Sequence, residues 1–403
     1  MPRVIRKCLL FCVIFTLFFN FNLIGERINV KEIKVAFLTE YTLYDGFGEF
    51  ESILNNYSWY GKHSKYIFKT SFLGWNDVIN GSLSKYNVMI VPYGIAFPLI
   101  VYHLLPSMQT PAWLNEIRNF IKNGGGFIGH CGGCWFMCYL NENSASVDTF
   151  FERVINSKLA TIGLSNVSLH QDAAVPLFDQ IIGNKSTGEA AYGFYFGMGD
   201  NPGGFCIPMK VNKSHPIFNG YGNETILVRY IGGPGLLPKK GSNVSVLLTY
   251  PPQDAFEKYI IHEWIFTGWR NLSSNIVRQI PVWISALREK SKNFWEIFYE
   301  FMKISWQTPD WKKLPVTEKI HIANMPAMTA EKYGKGRIVL CGAHPELPIW
   351  DPSKGVLNET DTTSDNIWDG IVRWDGLEEE DFFLANVWLV RREVAWASGI
   401  VPD

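Results

Sequence analysis

Apolar residues in this chain come in short blocks separated by glycine, proline and polar turns. Ile33-Lys34-Val35-Ala36-Phe37-Leu38, Tyr66-Ile67-Phe68-Lys69-Thr70 and Val88-Met89-Ile90-Val91-Pro92 are brief runs rich in β-branched and aromatic side chains. Such runs predict strands, the most apolar of them buried on both faces. Between them the rhythm lengthens. Residues 49–57 open a helix, and over 112–123 Leu114, Ile117, Phe120 and Ile121 share one helical face. Gly124-Gly125-Gly126 stops that second helix. A short strand, Phe127-Ile128-Gly129, and an apolar helix over 135–140 follow.

Strand and helix alternating through short connections predict a parallel sheet with helices on both faces, a flavodoxin-like α/β fold. In such sheets binding sites form beyond the carboxyl ends of the strands. Gly94, Cys131 and His344 each fall at or just past a predicted strand end, His344 following Arg337-Ile338-Val339-Leu340-Cys341. Residues 164–250 are strand- and turn-rich, with strands expected at 226–231 and 244–250 around the turn cluster Gly232-Gly233-Pro234-Gly235. Residues 254–320 differ in character. A helix is expected over 282–306, with Trp295, Ile297, Phe298, Phe301, Met302 and Ile304 interleaved with Lys and Glu, so the segment reads as a helical insertion. The tail ends in a helix expected over 382–397.

Composition adds a location. Arg3, Arg6 and Lys7 precede an apolar run over 8–24, which is a signal peptide or an uncleaved signal anchor and gives a route to membrane association. Asn-x-Ser/Thr acceptor sites for N-glycosylation begin at Asn56, Asn80, Asn166, Asn184, Asn212, Asn223, Asn243, Asn271 and Asn358, in keeping with export. The net charge is −1 and the pI about 6.7, so no long-range field favours nucleic acid. The seven cysteines have no framework spacing. Cys131 and Cys134 form a Cys-x-x-Cys, which elsewhere signals redox chemistry or metal. No second cysteine pair accompanies it, and the expectation is no metal and no cofactor.

The strongest chemical signal is Gly129-His130-Cys131-Gly132-Gly133 together with His344-Pro345-Glu346. A cysteine between glycines at a strand-to-helix turn sits on backbone that can push its sulfur into a cleft. The amide of Gly132 can donate to an oxyanion, with a second donor from the Gly94 loop. His344 can take the thiol proton and return it to a leaving amine, and Glu346 can orient the imidazole.

The elbow at 129–133 and His-Pro-Glu at 344–346 resemble the class I glutamine amidotransferase superfamily. Within it, residues 123–129, His215-Pro216-Ile217-Phe218, 230–234 and 334–339 are similar to the amidotransferase-like domain at the N-terminus of some biotin–protein ligases. The resemblance implies Cys131 as nucleophile, His344 as base, Glu346 as third member, and Gly94 and Gly132 framing the oxyanion hole. The implied activity is hydrolysis of a carbon–nitrogen amide bond in a small molecule through a thioester. The alternative is an inactive relative that keeps the pocket and binds a ligand or partner. His130 stands where the family usually carries an aliphatic residue. The expected organisation is a leader at 1–27, the amidotransferase-like domain at 28–253 and 321–350, the insertion at 254–320 and a C-terminal extension at 351–403.

Overall fold

The computed structural model describes residues 29–39, 47–61, 64–92, 110–139, 162–169, 195–197, 205–230, 233–256, 261–269, 272–292, 297, 300, 309–315, 322–347, 350–351, 355–356 and 386–400. Its centre is a ten-stranded sheet. The strands are β1 (Asn29–Leu38), β2 (Ser58–Tyr60), β3 (Ser64–Leu73), β4 (Val88–Val91), β5 (Gly126–His130), β6 (Phe205–Val211), β7 (Thr225–Tyr230), β8 (Ser245–Thr249), β9 (Pro326–Tyr333) and β10 (Gly336–Cys341). Their spatial order is β2-β3-β1-β4-β5-β10-β9-β8-β6-β7. The five strands β3, β1, β4, β5 and β10 are parallel. Taken in chain order they form the 2-1-3-4-5 arrangement of flavodoxin-like folds. From β9 outward every pairing is antiparallel, as is β2 on β3.

Alternation along the parallel strands builds two cores. Val35 and Phe37 of β1, Ile90 of β4, Ile128 of β5 and Val339 of β10 face one way, against helices α1 (Phe47–Leu54) and α5 (Val387–Ala397). Ala36, Leu38, Met89, Val91, Phe127, Ile338 and Leu340 face the other, against α2 (Thr110–Lys122) and α3 (Gly132–Met137). Both faces are therefore covered, which is why these strands read as continuous apolar blocks.

Residues 254–320 hold more strand than the sequence suggests. Helix α4 (Leu272–Arg288) starts ten residues before the expected 282 and is flanked by strands Ile261–Trp269 and Pro309–Pro315. These two pair with each other and with Tyr195–Gly197 in a separate three-stranded sheet. The tail helix α5 is no loose appendage. All eleven of its residues are buried, including Arg391, Arg392 and Glu393. Arg391 Nε donates to the Ile53 carbonyl (3.0 Å) and its guanidinium lies 3.6 Å from the Tyr57 ring centroid. Arg392 Nη1 donates to the carbonyls of Ile217 (3.0 Å) and Asn219 (2.5 Å). Among the described residues no helix is long and apolar enough to cross a membrane; the apolar run 8–24 lies outside them.

Candidate active site

The carboxyl ends of β5 and β10 lie side by side, with His130 opposite Cys341. Both chains then leave the sheet. After β5 the backbone turns at once into α3, and the residue at the turn is Cys131. Its φ is +48°, in the left-handed region that non-glycine residues avoid. Backbone held there costs on the order of 1–3 kcal/mol and persists only where its surroundings impose it. The imposition is visible. The Cys131 amide donates to the Cys341 carbonyl (2.7 Å), and the Cys134 amide to the Cys131 carbonyl (3.1 Å).

The flanking glycines permit the fold-back. A Cβ on Gly133 would lie 2.0 Å from the Val91 carbonyl oxygen, and one on Gly129 would lie 2.4 Å from that of Gly133. Helix α3 can therefore pack its first turn directly on β4 and β5 only with glycine at both positions. Gly132 follows Cys131 as the first residue of α3, where a backbone amide has no acceptor within the helix. Gly94 lies outside the described residues.

After β10, Gly342 donates to the Ala327 carbonyl (2.7 Å) and His344 to the Arg229 carbonyl (2.9 Å). The glycine- and proline-rich turn at 233–235 serves this loop. Tyr230 Oη donates to the Gly233 carbonyl (2.9 Å) and Tyr250 Oη to that of Pro234 (3.0 Å), which seats the turn against Gly342.

The two strand ends bring Cys131, His344 and Glu346 together. His344 Nδ1 is 2.8 Å from Glu346 Oε1, and the His344 ring hydrogen-bonds the Cys131 side chain. With Nδ1 committed to Glu346, Nε2 is the nitrogen left for the sulfur. Burial opposes the imidazolium form of His344, but the adjacent Cys131 and Glu346 outweigh it and push its pKa up to about 10. Burial likewise favours protonated Glu346. The neighbouring His130 and His344 reverse that and hold its pKa at about 2.

His130 is the residue whose role the sequence left unread. It is fully buried at the end of an apolar strand, under the Phe50 ring at a centroid distance of 4.9 Å. Its Nδ1 is 2.7 Å from the other oxygen of Glu346, and its Nε2 is 2.7 Å from Glu393 Oε2 of α5. Burial lowers the pKa of His130, and the two carboxylates bring it up to about 9. Glu393 is raised as well: burial lifts its pKa, with His130 partly offsetting. A histidine inside a strand of buried residues signals a partner, since an imidazole there must be satisfied. Nothing in the spacing pointed to Glu393, 263 residues away.

The described cysteines form no disulfide, and of these only Cys131 is partly exposed. Cys134 points inward, its thiol donating to the carbonyls of Gly129 (3.2 Å) and Cys341 (3.1 Å).

No protein-family profile and no curated protein sequence matches the chain. Solved structures similar to it include a cytoplasmic protein of Salmonella typhimurium (12% identity, TM-score 0.36, covering 92% of this chain and 100% of that one). A ThuA-like protein of Bacteroides uniformis aligns at 13% identity and TM-score 0.31, over 77% of this chain and 82% of its own. A β-galactosidase of Bacillus circulans aligns at 9% identity and TM-score 0.36, over 92% of this chain and 32% of its own. At this level of likeness, the chemistry has to be read from the geometry of the site itself.

Proposed function

We propose that this protein is an exported cysteine-nucleophile amidohydrolase of the glutamine amidotransferase-like superfamily, with the motif resemblance closest to the N-terminal domain of biotin–protein ligases. One observation carries the reading. A partly exposed cysteine in left-handed backbone shares a hydrogen bond with a histidine whose far nitrogen rests 2.8 Å from a buried carboxylate. A structural thiol needs none of these three features.

The chemistry follows from the positions. Cys131 passes its proton to His344 Nε2, and the sulfur attacks the carbonyl carbon of a small-molecule amide. The oxyanion that forms accepts from the Gly132 amide, with the Gly94 loop as the second donor. His344 gives its proton to the leaving nitrogen and the C–N bond breaks, leaving an acyl thioester on Cys131. Water then loses a proton to His344 and attacks the thioester. The acid departs and the thiol is restored. Glu346 keeps Nδ1–H of His344 pointed away from the sulfur throughout. No cofactor enters any step.

Mass spectrometry after a panel of electrophilic amide analogues tests the reading, with Cys131→Ala as control, alongside ammonia release from simple carboxamides. The expected result is one adduct, on Cys131, and ammonia release that disappears in Cys131→Ala. Labelling and release that survive the substitution end the nucleophile assignment and leave the ligand-binding alternative.

A further inference from the structure

We propose that His130 and Glu393 act as a positioning pair, clamping Glu346 and setting the basicity of His344 through it, so that five side chains rather than three form the working relay. The inference rests on the reading of Cys131 as a nucleophile. Its basis is a continuous line of contacts. Glu393 Oε2 lies 2.7 Å from His130 Nε2, His130 Nδ1 lies 2.7 Å from Glu346 Oε2, and Glu346 Oε1 lies 2.8 Å from His344 Nδ1. His344 in turn bonds Cys131. The side chains of His130, Glu346 and Glu393 are 0% exposed, so solvent does not dilute the line.

The proton count gives the pair its function. Nδ1–H of His130 donates to Glu346, which leaves one proton to share between His130 Nε2 and Glu393 Oε2. With that proton on the ring, His130 is a cation and screens the charge of Glu346. With the proton on Glu393, the ring is neutral and Glu346 acts on His344 at full strength. The pair is neutral in both arrangements, so the site keeps its total charge while the field at His344 changes. Glu393 Oε1 has no hydrogen-bond partner among the described residues. A buried carboxylate with one bare oxygen is costly, so the shared proton is held between Glu393 and His130 rather than released.

Among the described residues, the charged group acting on both members of the pair is Glu346. Around the pair lie Glu346, His344 and the thiols of Cys131 and Cys341, with Phe50 covering the imidazole. Arg391 and Arg392, on the same helix as Glu393, turn to the carbonyls of Ile53, Ile217 and Asn219. Nor does packing call for a polar pair here. Apolar residues of similar volume hold a buried contact as well as an ion pair, or better.

The test is the pH dependence of iodoacetamide alkylation at Cys131 in the purified full chain, followed by peptide mass spectrometry. Three proteins are compared: wild type, Glu393→Gln, and the double variant His130→Leu/Glu393→Leu. In the double variant Glu346 loses the donor on Oε2, burial lifts its pKa, and the thiol–imidazole pair is undone at higher pH. The acid limb of the alkylation profile should move up by about one pH unit or more, a tenfold lower rate at a fixed pH on the limb. Glu393→Gln keeps a hydrogen-bonding side chain of the same size but holds the His130 ring neutral, so Glu346 acts on His344 at full strength and the limb should move the other way, down, by less. It decides the matter if the double variant fails to fold. Folded variants whose limb coincides with that of the wild type overturn the pair alone. A wild-type Cys131 that alkylates like a free cysteine overturns the nucleophile reading beneath it.

Discussion

At the scale of single residues, the site is a set of buried charges that hold one another in place, and its pH dependence follows from their signs. Glu346 is depressed to about 2, so its contribution to stability is full above the ordinary carboxylate range and is lost as pH falls through about 2. His130 and His344 are raised to about 9 and about 10. Their contribution is complete below about 6.5 and lost as pH rises through those values. Glu393 acts in the same direction as the two histidines, since a carboxyl raised by burial makes its ionisation a cost as pH rises. The buried thiols of Cys134, Cys138 and Cys341, whose ionisation burial opposes, add to the alkaline loss. His215, lowered to about 4, is already neutral there. Denaturant melts between pH 7 and 10 should therefore show falling stability, with a shallower fall in His130→Leu/Glu393→Leu. Equal slopes in the two proteins would remove His130 from the ledger of titrating groups.

At the scale of elements, the elbow depends on how closely α3 approaches β4. Gly133→Ala places a methyl group 2.0 Å from the Val91 carbonyl oxygen, and backbone has to move. The expected cost is about 1–3 kcal/mol in a urea melt, overpacking of the usual size, together with slower alkylation of Cys131 as the turn relaxes. An unchanged melt would mean that α3 sits farther out. The helices and parallel strands around this turn were legible because each writes a strong local pattern: β-branched runs, a glycine stop, an apolar face. The strands inside 254–320 were not. Trp264, Ile265 and Phe266 in one strand and Trp311 in the other are mixed with Lys and Glu in no clean alternation, and their pairing joins residues about fifty positions apart. The start of α4 was hidden in the same way by Pro281, which lies within the helix.

At the scale of the whole molecule, three distant stretches of chain converge on one rim of the sheet: the end of β5, the loop after β10, and α5. The first two announce themselves in sequence by glycines around a cysteine and by His344-Pro345-Glu346. The third does not, because Glu393 sits in an ordinary-looking Arg391-Arg392-Glu393 run whose burial only the assembled core reveals. Export, proposed from the leader and the acceptor sites, carries its own check. Asn56, Asn80, Asn212, Asn223 and Asn243 are exposed, whereas the amide of Asn166 donates to the buried carboxylate of Glu331 (2.8 Å). In secreted protein, glycan mapping should find sugar on exposed sites and none at Asn166; an unglycosylated secreted chain would contradict the proposed use of these sequons. The most direct measurement of the account as a whole is the rate at which iodoacetamide modifies Cys131 near pH 6, in wild type and in His344→Ala. Activation by His344 predicts a wild-type thiol that still reacts at that pH and a variant slower by about a hundredfold, the lower end of what a positioned base contributes. Two proteins that react at the same rate would contradict it.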